Sequence, residues 1–177
     1  MAHFEKRLDS RVVFEGKIIH VRHDRVELED GRTSMREVVV HPGAVVIFAV
    51  HEGKTWLVRQ YRYCIGRELL EAPAGKLEAG EDHRAAAIRE LKEETGATAG
   101  RLEYLGEVFP TAGMYTEVFH MYFASDLDFG AACPDDGEFL SVEPVALSEL
   151  EAMIGAGRMT DAKTICIYSM AKARGLI

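Results

Sequence analysis

The sequence predicts an α+β fold, a mixed sheet between helices with a small antiparallel sheet at the amino end, and three observations carry that prediction. Residues 11–40 break into short β-rich runs at 12–14, 18–21, 26–28 and 37–40, with Asp30-Gly31 as a hairpin turn because glycine tolerates positive φ. Residues 44–50 are apolar without interruption, the pattern of a central strand covered on both faces. At about 100° per residue, Arg84, Ala87, Ile88, Leu91 and Thr95 fall on one mostly apolar arc. That arc marks a helix packing one side on a core until Gly96 stops it. The expected division is an amino-terminal sheet at 1–42 and a main domain at 43–177. Three strands of this size have little core of their own, so they must lie on the main domain or on a second subunit.

The remaining elements follow in chain order. Trp56, Leu57 and Val58 begin a strand that delivers Arg59-Gln60-Tyr61-Arg62-Tyr63. Period two puts Arg59, Tyr61 and Tyr63 on one face and turns Arg62 the other way. Two arginines among two tyrosines can grip phosphates and stack a base; the alternative is solvated arginines beside half-buried strand aromatics. Beyond the helix, 101–108 and 117–124 read as strands joined by residues 109–116. Residues 126–138, rich in Asp, Gly, Ala and Pro, read as a flexible acidic loop. A short strand at 140–145 and one or two helical turns at 148–154 come next. Thr160 or Asp161 then caps a last helix whose Ala162, Ile165, Cys166, Ser169, Met170 and Ala173 side covers a sheet face.

At 177 residues, with 47% hydrophobic and 28% charged side chains, the chain suits one globular domain with a small accessory sheet. A net charge of -8 argues against non-specific binding of nucleic acid or anionic membrane, while leaving room for a local basic pocket. Cys64, Cys133 and Cys166 show no paired ligand spacing and read as reduced thiols. The start MAHFEKRLDS lacks the apolar run of a leader, and no stretch reaches the roughly 18 apolar residues of a membrane span, so the expected location is the cytoplasm.

Chemistry concentrates in Arg89-Glu90-Leu91-Lys92-Glu93-Glu94. Residues three and four apart share a helix face, so Glu90, Glu93 and Glu94 stand together and repel by a few tenths of a kcal/mol per pair. Such acids are either a solvated helix face or the ligands of a hard dication that prefers oxygen, magnesium or manganese. Pro73, Gly75 and Gly80 punctuate the preceding segment in the manner of a specified backbone path.

The segment 75–97 resembles the Nudix hydrolase signature: Gly75, Glu81, Arg89, Glu90, Leu91, Glu93, Glu94, Gly96 and Ala97 meet every fixed position. The resemblance implies an α/β/α sandwich of the Nudix type and a loop-helix-loop that holds divalent metal, Mg2+ or Mn2+, against a diphosphate. From about Phe14 onward the chain looks like the ADP-ribose pyrophosphatases, on the strings Arg36-Glu37-Val38-Val39, Arg59-Gln60-Tyr61-Arg62 and Asp161-Ala162-Lys163-Thr164.

Several roles follow from that resemblance. The amino-terminal sheet would contribute to a homodimer, with Arg36 reaching a ligand phosphate or ribose. Arg59, Tyr61, Arg62 and Glu71 would lie at the substrate. The Ala74 carbonyl would ligate metal with Glu90, Glu93 and Glu94, adding an oxygen without charge. Glu93 would bind a further ion or act as base, and Arg89 would orient an acid such as Glu81. Where the subfamily shows Ser-Pro-Gly and then an acid, this chain has Thr111-Ala112-Gly113 and Glu117, so the proline is absent. Gly113 and Glu117 are carried over as substrate contacts; the loop itself is either a simple connection or, as a hypothesis apart from the resemblance, a place where Tyr115 or Phe109 packs on adenine. An acid on the 126–138 loop would activate water, with Asp135, Asp136 and Glu138 as candidates. The implied reaction is hydrolysis of ADP-ribose to AMP and ribose 5-phosphate. GDP-mannose, ADP-glucose or NADH are the alternative substrates, and a non-catalytic sensing module is the reading from another class.

Overall fold

The structure is a computed structural model that describes residues 3–134 and 137–177. Its contacts divide the chain into two units. One holds the residues up to Gly43 together with Phe109–Val118, and the other holds Ala44–Val108 and Phe119–Ile177.

In the first unit, β1 (Lys6–Glu15), β2 (His20–Glu27) and β3 (Thr33–Val40) form an antiparallel sheet in that order. The runs at 18–21 and 26–28 belong largely to one continuous strand, and β1 begins at Lys6, earlier than its apolar residues signal. Gly31 takes a φ of 82° in the turn between β2 and β3. The segment Phe109–Val118 joins this unit through the backbone: Val39 N–H donates to Met114 O at 2.8 Å, and Thr116 N–H donates to Val39 O at 3.0 Å.

The second unit continues with β4 (Ala44–His51), β5 (Lys54–Arg62), a 3-10 turn at Tyr63–Ile65, β6 (Arg67–Glu71), β7 (Ala74–Lys76) and α1 (His83–Thr95). Then come β8 (Ala97–Val108), β9 (Phe119–Phe129), β10 (Leu140–Ala146), α2 (Leu147–Gly155) and α3 (Ala162–Ala173). The sheet runs β10-β5-β4-β9-β8, with β6 on β5 and β7 on β4; β4 and β9 are parallel and the other pairs antiparallel. Successive strand residues face opposite ways, so β4 feeds two cores. Val45, Ile47 and Ala49 pack with Ala86, Ala87 and Leu91 of α1. Val46 and Phe48 pack with Leu150 of α2 and with Ile167, Tyr168 and Ala171 of α3. Helices therefore cover both faces of a mixed sheet, the expected α+β sandwich.

Three readings of the sequence need correcting. Ile88 is 50% exposed, and α1 buries Ala86, Ala87, Leu91, Glu94 and Thr95, because the helix is turned toward its acidic side. In α3 the buried residues are Thr164, Ile167, Tyr168 and Ala171; apolar side chains surround this helix, so its partners choose the face. Residues 126–129 are not loop, since Ala97, Thr98 and Ala99 pair with Phe129, Asp128 and Leu127 and extend β9.

Candidate active site

The signature helix α1 starts at an Asp82 cap, whose carboxylate accepts from the Arg84 and Ala85 N–H groups, and ends at Gly96 with φ 72°. Ahead of it, β7 runs beneath the acids. A Cβ built on Gly75 would meet Glu90 Cδ at 1.8 Å, so this position takes no side chain while the carboxylate stays there. The next contact lies one residue earlier, where Ala74 N–H donates to Glu94 Oε2 at 3.0 Å.

Glu94 is 4% exposed, and burial pushes its carboxyl up to about 8 against the opposing bond from Ala74; Glu90 and Glu138 push the same way. Burial also raises Glu90, against the pull of Arg89 and with help from Glu93 and Glu138. Two carboxylates one helical turn apart, both destabilised as anions, form a donor set that a dication suits. Glu138 reaches the same charges from the loop before β10. The start of that loop is tied to the end of α1 by Gly130 N–H donating to Gly96 O (2.8 Å) and Cys133 N–H donating to Glu93 O (2.9 Å). Asp135 and Asp136 lie outside the described residues.

Arg89 stands among the other acids. It forks onto Glu81 through Nε (3.0 Å) and Nη2 (3.1 Å), and its Nη1 donates to Glu90 Oε1 (2.8 Å) and Glu93 Oε2 (2.9 Å). These bonds, Glu81's first, hold the guanidinium pKa far above its ordinary value and the Glu81 carboxyl below its own. Among the described residues no three His, Cys, Asp or Glu side chains meet as a ready metal cluster. Glu90 and Glu93 are instead bridged by Arg89, and Glu94 sits apart against β7.

A second group of charges lies along β5 and β6. Arg59 pairs with Glu143 of β10 (2.5 and 2.9 Å), while Arg62 donates two parallel bonds to Glu71 (2.7 and 2.8 Å). Glu71 is 1% exposed and also accepts from Lys163. Burial pushes its pKa up, yet Arg62 and Lys163 outweigh burial and leave it lowered. Tyr61 stays 56% exposed, and Tyr63, at 89%, leaves the strand for the 3-10 turn and shares no strand face with Arg59.

Arg36, Gly113 and Glu117 belong to the first unit. Arg36 is paired with Glu5 and Ser34, Gly113 is exposed with nothing near its Cα hydrogens, and Glu117 lies 3.3 Å from His41 Nδ1. Sequence reasoning missed Lys163 as a partner of Glu71. The only signal was Asp161 with Thr164 three residues on, a helix start that says nothing of a strand 90 residues away.

Residues 40–166 match the NUDIX domain, and residues 5–39 match the nucleoside diphosphate sugar hydrolase N-terminal domain. Over 164 residues the chain is 40% identical to the methanol dehydrogenase activator of Bacillus methanolicus, covering 91% of this chain and 89% of that one. It is 39% identical over 163 residues to the ADP-ribose pyrophosphatase of Bacillus subtilis, covering 90% and 88%. A crystal structure of an ADP compounds hydrolase shares the fold at a TM-score of 0.85 and 22% identity, over 98% of this chain and 97% of that one.

Proposed function

The chain belongs to the Nudix hydrolase family, and on that premise we propose that it hydrolyses ADP-ribose to AMP and ribose 5-phosphate with Mg2+ or Mn2+. It is an enzyme of the ADP-ribose pyrophosphatase-like type, acting on a diphosphate-linked nucleotide. The observation that carries the reading is the pair Glu90 and Glu94, both held high in pKa behind Gly75 and Ala74. The residues that would hold the metal are Glu90, Glu94 and the Ala74 carbonyl, with Glu93 either joining them or serving as base. When bound, the ion neutralises phosphoryl charge and acidifies water.

The chain's own residues do the rest. Arg89 sets the carboxylates of Glu90 and Glu93 and yields them as the site fills, keeping its fork on Glu81. An acid takes a proton from the attacking water, either Glu138 on the loop before β10 or Glu93 where it does not join the ligands. Arg59 and Arg62 offset the charge of the diphosphate, and Tyr61 offers an exposed ring to the base. Glu71 acts from beneath by holding Arg62. The protein works in the cytoplasm as a homodimer through residues 1–42: every residue of β1 is exposed, Leu8, Val12, Val13 and Phe14 included. Among the described residues, no helix is long and apolar enough to cross a membrane.

The test is turnover of ADP-ribose, ADP-glucose, GDP-mannose, NADH, a diadenosine polyphosphate and nucleoside triphosphates with Mg2+ or Mn2+, beside Glu94→Gln. The highest kcat/KM on ADP-ribose, with AMP as product, and a loss of at least about a hundredfold in the variant are expected. Because Glu94 already favours its neutral form, Glu94→Gln should leave the metal-free protein as stable as the parent at pH 7. Thr111-Ala112-Gly113 favours a second reading, another nucleoside diphosphate sugar or a dinucleotide; GDP-mannose or NADH as best substrate would establish it.

A further inference from the structure

Four consecutive residues, from the last of β6 to the first of β7, are each held by a different partner. The Glu71 carboxylate takes Arg62 and Lys163, and Ala72 N–H donates to Thr164 Oγ1 at 2.6 Å. Pro73 O accepts from Ile47 N–H at 2.9 Å, and Ala74 N–H donates to Glu94 at 3.0 Å. Two of these partners, Lys163 and Thr164, are neighbours on the first turn of α3. That turn is itself fixed by its cap: Asp161 accepts from Thr164 N–H (3.0 Å), Thr164 Oγ1–H (2.5 Å) and Lys163 Nζ (3.0 Å).

We propose that the first turn of α3, through Lys163 and Thr164, is a positioning clamp that sets the 71–74 segment and thereby the Glu94 carboxylate and the Ala74 carbonyl. The proposal rests on the metal-binding reading above.

Charge and hydrogen bonding explain why these residue types are needed. Glu71 and Asp161 carry two negative charges, Arg62 and Lys163 two positive, so the quartet is neutral. A bare carboxylate this deep would be neutralised or expelled. Arg62 alone satisfies Glu71 in geometry but leaves Asp161 without its cation, beside a site already crowded with acids. Thr164 is fully buried, and its hydroxyl has a donor duty to Asp161 and an acceptor duty to Ala72, which only a hydroxyl can combine. Thr164 holds the Ala72 backbone N–H and Lys163 the Glu71 side chain, two and three residues from the Ala74 bond, a reach short enough for displacement of tenths of an ångström to matter to a ligand set.

Lys163→Met and Thr164→Val test the clamp separately, one removing charge and the other only the hydroxyl. Thr164→Ser is the conservative rescue, and Lys172→Met, at the far end of α3 on exposed Glu151, is the control. Two readouts are taken: amide exchange of Ala74 and of the core residue Phe48 in metal-free protein, and Mn2+ affinity by paramagnetic titration. Both test variants should speed exchange at Ala74 about tenfold with Phe48 unchanged, and weaken Mn2+ about tenfold, while Thr164→Ser and Lys172→Met behave as the parent. Equal acceleration at Ala74 and Phe48, or protection and affinity both unchanged, would overturn the clamp. If the parent itself takes up no Mn2+, the metal-binding reading fails, and the Ala74 exchange still decides the clamp.

Discussion

The carboxylate of Glu90 lies against the α-carbon of Gly75, so close that a methyl group there would overlap it at 1.8 Å. Gly75→Ala must push Glu90 or β7 aside, and each is tied to the site. Metal affinity and kcat should fall about 10- to 100-fold, with stability down by about 1–3 kcal/mol. Mn2+ titration beside a urea midpoint checks this; unchanged affinity would mean that Glu90 is not a ligand.

Arg89 ties Glu81, Glu90 and Glu93 with one guanidinium. Lysine keeps the charge but not the fork, so Arg89→Lys should lose about as much turnover as Arg89→Met, roughly 10- to 100-fold. Steady-state kinetics decides it, since recovery with lysine would show that charge alone suffices.

His120 stacks on His83 at 4.3 Å and 1° between rings, with Tyr104 OH 3.2 Å and Glu107 3.9 Å from its Nδ1. Burial, then His83, lowers its pKa below 6.5, with Glu107 opposing. The unfolded chain therefore takes up a proton near 6.5 that the folded chain refuses. The contribution of His120 is flat above that value and falls as pH drops below it, by at most about 1.4 kcal/mol per unit. Urea midpoints from pH 5 to 7.5 should show a shallower slope in His120→Phe; parallel curves would contradict the assignment.

Ile88 and Leu91 lie on the same arc of the sequence projection, yet only Leu91 is buried. Leu91→Ala should cost about 2–5 kcal/mol, and Ile88→Ala within about 0.5. Thermal or urea denaturation of the two variants measures the difference, and equal losses would mean that α1 sits as the sequence alone indicated.

The sequence alone determined what is local. Period and run length gave the three amino-terminal strands and the doubly covered β4; Gly96 marked the end of α1; spacing put Glu90, Glu93 and Glu94 on one side of it. These depend on residues within a few turns of one another, which the chain order records. The rotation of α1 that buries Glu94 and exposes Ile88 was set elsewhere, because β7 offers Glu94 a backbone N–H that no helical periodicity contains. In α3, apolar residues on every side left the buried face to the sheet beneath it. Period two turns Arg62 away from Arg59, and nothing in the string Asp161-Ala162-Lys163-Thr164 points Lys163 at Glu71; Glu71, an ordinary glutamate in sequence, gathers both because folding shuts its charge away from water and a buried charge must find partners wherever the topology brings them.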